Sequence, residues 1–365
     1  MKYPESFGRE YELSNYEAYG ETCAGIANML WSRSMSTLYD GSQYADVIEK
    51  DMYNAVLGCA NFDGNKFYYQ NHLADINSFD RNSWFDTACC PPNYARTLLQ
   101  ISGFIYNTGS DDVYINQYIS NNSNFNVGEN NVQVAMKSGF PYNETGEINV
   151  TSSASSNFKI HLRKPSWTNN YSIKVNGKDV SPIEQDGYLV LSDISWSSTP
   201  TKIEFDFDMP LNYVKSDDNV YRNKGLVALQ RGPIVYCMEA CDNADTDLLR
   251  AYLVREGDDL YKFEQKEFLN SEGKNPYGIR TVNVLTHKGK YIKDGSTLDK
   301  TLTFVPYYSR CNRTLGAMTV LVRDGDISKD TIQEKGSASA SYSSGTRPFD
   351  GVGFINDGRL ESDGR

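Results

Sequence analysis

Hydrophobic residues in the first hundred positions recur at helical spacing in three segments. The first covers residues 22–38 and the second residues 43–56, and each ends or begins beside polar and glycine positions typical of helix boundaries. The third is predicted to run to about residue 106, after Pro91 and Pro92, which suit a first helical turn because proline has no N–H to leave unpaired there. Three amphipathic helices offer little partner surface to one another, so they predict the edge of a larger helical domain.

After residue 109 the pattern changes to short strands. Apolar and polar residues alternate in runs between 113 and 205, separated by Asn, Gly, Ser and Pro at the spacing expected of an antiparallel β-sandwich. The pair Asn176-Gly177 predicts a tight hairpin turn. Earlier in the chain, residues 66–69 predict one short strand that follows a turn.

These patterns divide the chain into four predicted units. The first is helical, the second and third are β domains, and the fourth is a flexible tail with few apolar positions or the start of a truncated carbohydrate-binding module. Their predicted bounds are 1–109, 110–213, 214–323 and 324–365.

Charge and hydropathy narrow the classes of partner. The chain of 365 residues carries 36 basic and 47 acidic side chains, a net charge of −11, and no basic run interrupts the acidic excess. Attraction to phosphate backbones is therefore missing, and no nucleic acid partner is expected. No apolar run approaches the roughly 20 residues of a membrane span, so no membrane partner is expected either. No signal peptide follows Met1, but Met1 need not be the natural start, so cytoplasmic and secreted locations both stay open.

The candidate chemistry lies in the adjacent cysteines Cys89 and Cys90. Neighbouring Cα atoms are about 3.8 Å apart, shorter than the usual disulfide span of about 4.4 to 6.8 Å, so the two thiols are better interpreted as ligands for one target. Glu21 and Cys23 supply a carboxylate and a third sulfur from the first predicted helix. Together these four residues form a set that suits Zn²⁺.

Two roles for this set are open on the residues alone. Three sulfurs and one carboxylate complete a tetrahedral shell, and closed shells of this kind are usually structural. Ligation also removes the thiol proton, and an ionised sulfur is a nucleophile. The remaining cysteines do not indicate a disulfide framework, since the total of seven is odd.

Several motifs together resemble the glycoside hydrolase family 127 β-L-arabinofuranosidases. The resemblance extends from about residue 4 to residue 323 and rests on five segments. They are Glu21-Thr22-Cys23-Ala24, Phe62-Asp63-Gly64-Asn65-Lys66-Phe67-Tyr68-Tyr69, Cys89-Cys90-Pro91-Pro92-Asn93, Leu162-Arg163-Lys164-Pro165-Ser166-Trp167 and Arg231-Gly232-Pro233-Ile234-Val235-Tyr236.

The resemblance implies a fold, an activity and a set of site residues. The fold is an (α/α)6 barrel, of which residues 1–109 would be the C-terminal portion, followed by antiparallel β-sandwich domains. The activity is hydrolysis of terminal β-L-arabinofuranosyl linkages with retention, so the implied partner is an arabinose-containing oligosaccharide or glycan. The implied roles are zinc ligands Glu21, Cys23, Cys89 and Cys90, nucleophile Cys89, acid/base Glu5, and substrate-binding Tyr69.

One departure from the family concerns the N-terminal side. Most of the family's barrel precedes the glutamate matched by Glu5, so the sequence is expected to be a fragment or one half of a split enzyme, with a missing N-terminal barrel segment as its partner. Residues 337–358 are similar to the opening of a discoidin-like carbohydrate-binding module. The alternative function, from a different class, is a non-catalytic carbohydrate-binding β-sandwich protein with a structural zinc site.

Overall fold

The computed structural model describes residues 8–76, 79–268, 281–293 and 296–325. Glu5 and almost all of the predicted tail therefore lie outside the described residues, as does the segment similar to a discoidin-like module.

Three helices form where apolar spacing predicts them, although all three are shorter than predicted. They are α1 (Thr22–Ser36), α2 (Gln43–Asp51) and α3 (Cys90–Leu99). A π-helical turn follows α2, and a 3₁₀ turn at Ile101–Phe104 follows α3, so the predicted extension of the third helix to about residue 106 is wrong. The helices share a small apolar core that includes Ile26, Met29 and Ile48. Burial of this shared face stabilises helices that would be marginal in isolation.

The rest of the described chain is dominated by strands. In chain order they are β1 (Ala74–Asp75), β2 (Tyr106–Thr108), β3 (Asp112–Ile115), β4 (Asn121–Val127), β5 (Asn130–Ser138), β6 (Thr145–Ser152), β7 (Lys159–Arg163), β8 (Tyr171–Val175), β9 (Lys178–Val180), β10 (Ile183–Gln185), β11 (Tyr188–Leu191), β12 (Thr201–Phe207), β13 (Leu211–Val214), β14 (Leu226–Arg231), β15 (Ile234–Glu239), β16 (Ala251–Leu253), β17 (Tyr261–Glu267), β18 (Thr281–Lys293), β19 (Ser296–Pro306), β20 (Met318–Thr319) and β21 (Leu321–Arg323).

Strands β2 to β12 form two sheets that share one hydrophobic core. The five-stranded sheet has the order β10-β11-β7-β3-β2, and the six-stranded sheet has the order β4-β5-β6-β12-β8-β9. Ile160 of the first sheet and Ile148 of the second are both fully buried in the common core. Alternating apolar residues on each strand supply the inward faces, as the period of two requires.

The remaining strands form one ten-stranded sheet. Its order is β1-β20-β15-β19-β18-β16-β21-β14-β13, β17 pairs with β18, and an added β14–β15 pairing closes part of this path on itself. Strand β1 lies between α2 and α3 in the chain and pairs with β20, Ala74 opposite Thr319. The helical part is therefore hydrogen-bonded to the C-terminal sheet.

None of the helices in the described part of the chain has the length and apolar character needed to cross a membrane.

Candidate metal centre

The N-terminus of α1 carries two of the predicted ligands. Glu21 precedes the helix in an extended conformation, and its side chain makes no capping hydrogen bond to the first turn. Its backbone forms an isolated β-bridge with Gln70, which holds the start of the helix against the segment that contains Gln70. Cys23 is the second residue of α1. The carboxylate of Glu21 is therefore directed to side-chain partners instead of to its own helix.

The N-terminus of α3 carries the other two predicted ligands. Cys89 is the residue before the helix, Cys90 is its first residue, and two prolines occupy the first turn as predicted. Cys90 is fully buried, whereas Cys89 is partly exposed. Two helix N-termini thus meet at one point, and each contributes positive partial charge from unpaired N–H groups. This partial charge lowers the cost of ionising a sulfur at that point.

The four predicted ligand residues are brought together. One donor atom from each of Glu21, Cys23, Cys89 and Cys90 lies within 4.8 Å of the others. The Cys23 and Cys90 sulfurs are 3.5 Å apart, and the Cys89 and Cys90 sulfurs are 3.8 Å apart. Glu21 Oε1 lies 3.3 Å from the sulfur of Cys89 and 3.8 Å from that of Cys90. This cluster can hold a metal ion.

The protonation state of the cluster's thiols depends on whether a cation is bound. Burial raises the pKa of the Cys23 thiol to about 11, and burial also raises the pKa of Cys90 well above its usual range. With no positive ion beside them, both thiols therefore hold their protons at neutral pH. A bound metal ion reverses this preference because its charge stabilises the thiolates.

Aromatic residues form the border of the cluster next to Cys89. Tyr19 donates a hydrogen bond from its hydroxyl to Glu21 Oε2, at 3.1 Å. A hydrogen bond with Tyr19 raises the pKa of Tyr69, and a hydrogen bond between Tyr69 and Cys89 raises it further. The ring of Phe85 packs edge-on against that of Tyr69, with 5.5 Å between centroids. The structure therefore places Tyr69 beside Cys89.

Two residues that contact the cluster were not singled out by the sequence analysis. Tyr19 holds Glu21, as described, and Asn93 donates a hydrogen bond from Nδ2 to the sulfur of Cys23, at 3.1 Å. The position of Asn93 carried a signal, because residues four apart on a helix share a face and Cys89 lies four residues earlier. The position of Tyr19 carried none, since it lies outside any helix or strand.

A second group of possible metal donors consists of Glu239, Cys241 and Asp242. Arg313 already neutralises this group, since its guanidinium donates to Glu239 Oε2 at 2.7 Å and also to Asp242. The other Glu239 oxygen accepts the backbone N–H of Cys311 at 2.6 Å. The carboxylates therefore have partners without a metal ion.

Comparison with known families matches most of the chain in three consecutive segments. A family model described as "Beta-L-arabinofuranosidase, GH127 catalytic domain" matches residues 1–103. The "GH127 middle domain" of the same enzymes matches residues 112–209, and "Glycoside hydrolase family 127 C-terminal domain" matches residues 211–323.

Individual relatives agree with these matches. The chain is 32% identical over 349 residues to a non-reducing end β-L-arabinofuranosidase of Bifidobacterium longum subsp. longum, with 87% of this chain and 51% of that protein covered. A solved GH127 β-L-arabinofuranosidase from Geobacillus stearothermophilus T6 is similar with a TM-score of 0.79 and 30% identity over 87% of this chain and 52% of that chain. A second solved structure, a GH127 β-arabinofuranosidase, has a TM-score of 0.76 and 30% identity over 87% of this chain and 51% of that chain. The chain thus spans about half the length of these relatives.

Proposed function

Because the chain belongs to glycoside hydrolase family 127, we propose that it supplies the cysteine nucleophile of a retaining glycosidase that releases terminal β-L-arabinofuranose from an oligosaccharide or glycan. The observation that carries this proposal is the convergence of Glu21, Cys23, Cys89 and Cys90 at two helix N-termini. The relatives described above are arabinofuranosidases by name, and their activity motivates the choice of sugar.

The proposed architecture is the C-terminal part of an (α/α)6 barrel over residues 1–109, followed by two β-sandwich domains over 110–213 and 214–323. Large exposed apolar side chains on α1 and α3 and in the turn after α1 support a barrel edge. Trp31 is 57% exposed, Leu38 is 73% exposed and Leu99 is 87% exposed. Exposed apolar surface of this kind marks a face that packs against other protein, and a barrel segment on the N-terminal side is the proposed partner.

Zn²⁺ is the proposed metal because the donor set and its spacing fit that ion. With Zn–S bonds of about 2.3 Å and a Zn–O bond of about 2.1 Å, a tetrahedron places sulfurs about 3.8 Å apart and sulfur about 3.6 Å from oxygen. Four of the six separations within the cluster run from 3.3 to 3.8 Å, and all six are within 4.8 Å. When bound, zinc keeps the sulfur of Cys89 ionised at neutral pH.

The proposed reaction has two displacements at the anomeric carbon. In the first, Cys89 Sγ forms a bond to that carbon, the bond from the carbon to the glycosidic oxygen breaks, and Glu5 gives its proton to the departing oxygen. In the second, a water oxygen attacks the same carbon, the carbon–sulfur bond breaks with its electron pair returning to Cys89, and Glu5 takes the proton of the water. Two inversions in succession retain the configuration.

Tyr69 is the proposed substrate contact. Its ring borders the cluster between Tyr19 and Phe85, and its hydroxyl lies at Cys89. A sugar placed for attack by Cys89 would therefore contact the aromatic ring and the hydroxyl of Tyr69. The aromatic ring suits the apolar face of a sugar, and the hydroxyl suits its polar edge.

The test compares Cys89→Ser with Cys241→Ser, an exposed cysteine outside the cluster. The hydrolysis rate is measured on an aryl β-L-arabinofuranoside. Mass spectrometry of the peptide that contains Cys89 then detects a covalent arabinosyl adduct. We expect Cys89→Ser to form no adduct. Its hydrolysis rate should fall by on the order of a thousandfold or more. Activity that survives in Cys89→Ser would remove this residue from the nucleophile role.

A second candidate function is carbohydrate binding without turnover, with zinc as a structural element. The completed shell of four protein donors favours it, because catalytic zinc sites usually keep one position open. Sugar binding with no adduct on Cys89, together with unfolding on chelation, is the result that would favour this candidate.

A further inference from the structure

We propose that Asn93 is a positioning residue that ranks the three sulfurs, keeping Cys23 as a passive ligand and leaving Cys89 as the reactive one. The inference rests on the proposed function, since it assumes that all three sulfurs hold one zinc ion. Its structural basis is the hydrogen bond that Asn93 donates from Nδ2 to Cys23 Sγ, at 3.1 Å.

The neighbouring arginine fixes the orientation of the Asn93 amide. Arg96 donates a hydrogen bond from its guanidinium to Asn93 Oδ1. A guanidinium has donors and no acceptor, so the amide group that faces Arg96 must be the oxygen. The amide nitrogen is then left facing Cys23, and it can only donate there.

The backbone of α3 holds this donor in place. Asn93 lies in the first part of the helix, where its N–H donates to the carbonyl of Cys89 at 3.1 Å. Its own carbonyl accepts a hydrogen bond from Thr97 Oγ1 at 2.8 Å. Because Cys89 and Asn93 are four residues apart on one helical face, the residue that supplies the nucleophile and the residue that restrains Cys23 move together.

The three sulfurs differ in the N–H donors around them. Cys23 accepts a hydrogen bond from the Asn93 amide, and Cys90 is fully buried. Within the described ranges no N–H donor contacts the sulfur of Cys89, whose neighbours are the Glu21 carboxylate at 3.3 Å and the Tyr69 hydroxyl. A hydrogen bond to an ionised sulfur stabilises its charge and lowers its nucleophilicity. Asn93 therefore lowers the reactivity of Cys23 relative to that of Cys89, whose neighbouring donor is the Tyr69 hydroxyl, the group proposed to contact the substrate.

Such a ranking matters because zinc alone does not distinguish three thiolates. Each sulfur bound to the same ion carries similar charge, so selectivity among them must come from groups outside the first ring of ligands. Without it, Cys23 would compete with Cys89 for any electrophile that enters the cluster.

The experiment measures alkylation of each cysteine by iodoacetamide in the zinc-loaded chain. Peptides that contain Cys23 and Cys89 are followed over time by mass spectrometry in the parent protein and in Asn93→Leu, with zinc content measured on the same samples. In the parent we expect Cys89 to react first. In Asn93→Leu we expect the rate at Cys23 to rise about tenfold, as loss of a hydrogen bond to a charged group predicts.

Two further variants complete the test. Asn28→Leu is the matched control, because the Asn28 amide donates to Asp51 of α2 and not to a cluster sulfur, and the variant should leave the labelling order unchanged. Arg96→Met keeps the Asn93 side chain but frees its orientation, and it should raise the rate at Cys23 by less than Asn93→Leu does. Circular dichroism would reveal whether Asn93→Leu misfolds. If it does, Arg96→Met still tests the role of the Asn93 amide.

The outcomes separate this inference from the proposed function. Suppose that the zinc-loaded parent labels at Cys89 first, and that Asn93→Leu and Arg96→Met both keep the parent ratio of the Cys23 and Cys89 rates. That result would overturn the role of Asn93 alone. A parent that labels at Cys23 first, or that holds no zinc, would overturn the proposed nucleophile or metal and this inference with it.

Discussion

Thr22 lies between two predicted ligands and contributes no ligand atom, yet it is fully buried. Its hydroxyl donates to the carbonyl of Tyr68 at 3.0 Å and accepts a hydrogen bond from Asn71 Nδ2 at 3.0 Å. Its backbone N–H donates to the carbonyl of Tyr69 at 2.9 Å. The start of α1, and with it Glu21, is therefore positioned by the segment from residue 68 to residue 71.

The prediction that follows concerns Thr22→Val, which keeps the shape of the side chain and removes the hydroxyl. The Tyr68 carbonyl and the Asn71 amide each lose a partner in a buried place, so we expect the free energy of unfolding to fall by about 1 to 3 kcal/mol. Urea denaturation measures it. Thr199→Val, at an exposed loop position, is the control, with an expected change within about 0.5 kcal/mol. Equal values for the two variants would contradict the role given to Thr22.

At the scale of residues, the sequence identified the donors but not what holds them. Glu21, Cys23, Cys89 and Cys90 stand out because their chemistry and local spacing are visible in two short segments. The hydrogen bond from Asn93 to Cys23 joins residues 70 positions apart, so it depends on how α1 and α3 pack. Contacts of that kind follow from tertiary structure and leave no local pattern.

At the scale of elements, α2 is joined to the five-stranded sheet by a buried ion pair. Arg163, at the end of β7, is fully buried, and its guanidinium donates to Asp46 and Glu49 of α2. Glu49 also accepts a hydrogen bond from Trp167 Nε1 at 2.9 Å. The guanidinium and the two carboxylates attract one another strongly in this interface, but Arg163 or Glu49 without the other would be a buried charge with no ion partner. Arg163 and Trp167 both belong to the Arg-Lys-Pro-Ser-Trp segment that helped to identify the family.

We therefore predict that Arg163→Met is strongly destabilising, by about 3 to 5 kcal/mol, because it leaves Glu49 buried and unpaired. Denaturant titration of the free energy of unfolding is the measurement. The adjacent Lys164→Met is the control, since Lys164 pairs with Glu184 at the surface, where an ion pair contributes about 1 kcal/mol or less.

A double variant separates loss of charge pairing from loss of packing. Arg163→Met combined with Glu49→Gln removes both buried charges and keeps an acceptor for Trp167. It should be more stable than Arg163→Met alone, because the deeply buried Glu49 no longer carries an unpaired charge, while Asp46, the other carboxylate that Arg163 binds, is partly exposed. A double variant less stable than the single one would show that the guanidinium acts through packing instead.

The elements themselves were predictable to different degrees, and the failures have identifiable causes. The alternation between residues 113 and 205 correctly predicted strands there, among them β3, β5 to β8, β11 and β12. The hairpin at Asn176 and Gly177 is also confirmed, with both residues at positive φ. The strand predicted at residues 66–69 is wrong, since Phe67 forms only isolated bridges. The ring of Tyr68 lies instead between two guanidiniums, 4.2 and 4.4 Å from its centroid. The conformation of residues 66–69 therefore depends on side-chain packing, which the alternation of apolar and polar residues does not encode.

At the scale of the whole molecule, the cluster of Glu21, Cys23, Cys89 and Cys90 and the sheets connect different parts of the chain. The cluster joins the starts of α1 and α3, which are separated by more than sixty residues of chain. The helices have only a small apolar core of their own, whereas the shared core of the two smaller sheets contains many fully buried side chains, Trp196 among them. The four-residue cluster therefore contributes a larger share of the stabilising contacts of the helices than of those of the sheets.

Removal of zinc should accordingly loosen the helices and leave the sheets intact. A ligand present at about a hundred times its dissociation constant stabilises the state that binds it by about 2.7 kcal/mol, and a chelator withdraws that contribution. Amide hydrogen exchange with and without chelator should show lost protection in α1 and α3 and unchanged protection in the β18–β19 hairpin. Cys23→Ser should show low helix protection under both conditions. Equal protection of α1 in the two conditions would mean that apolar packing alone holds the helix ends together.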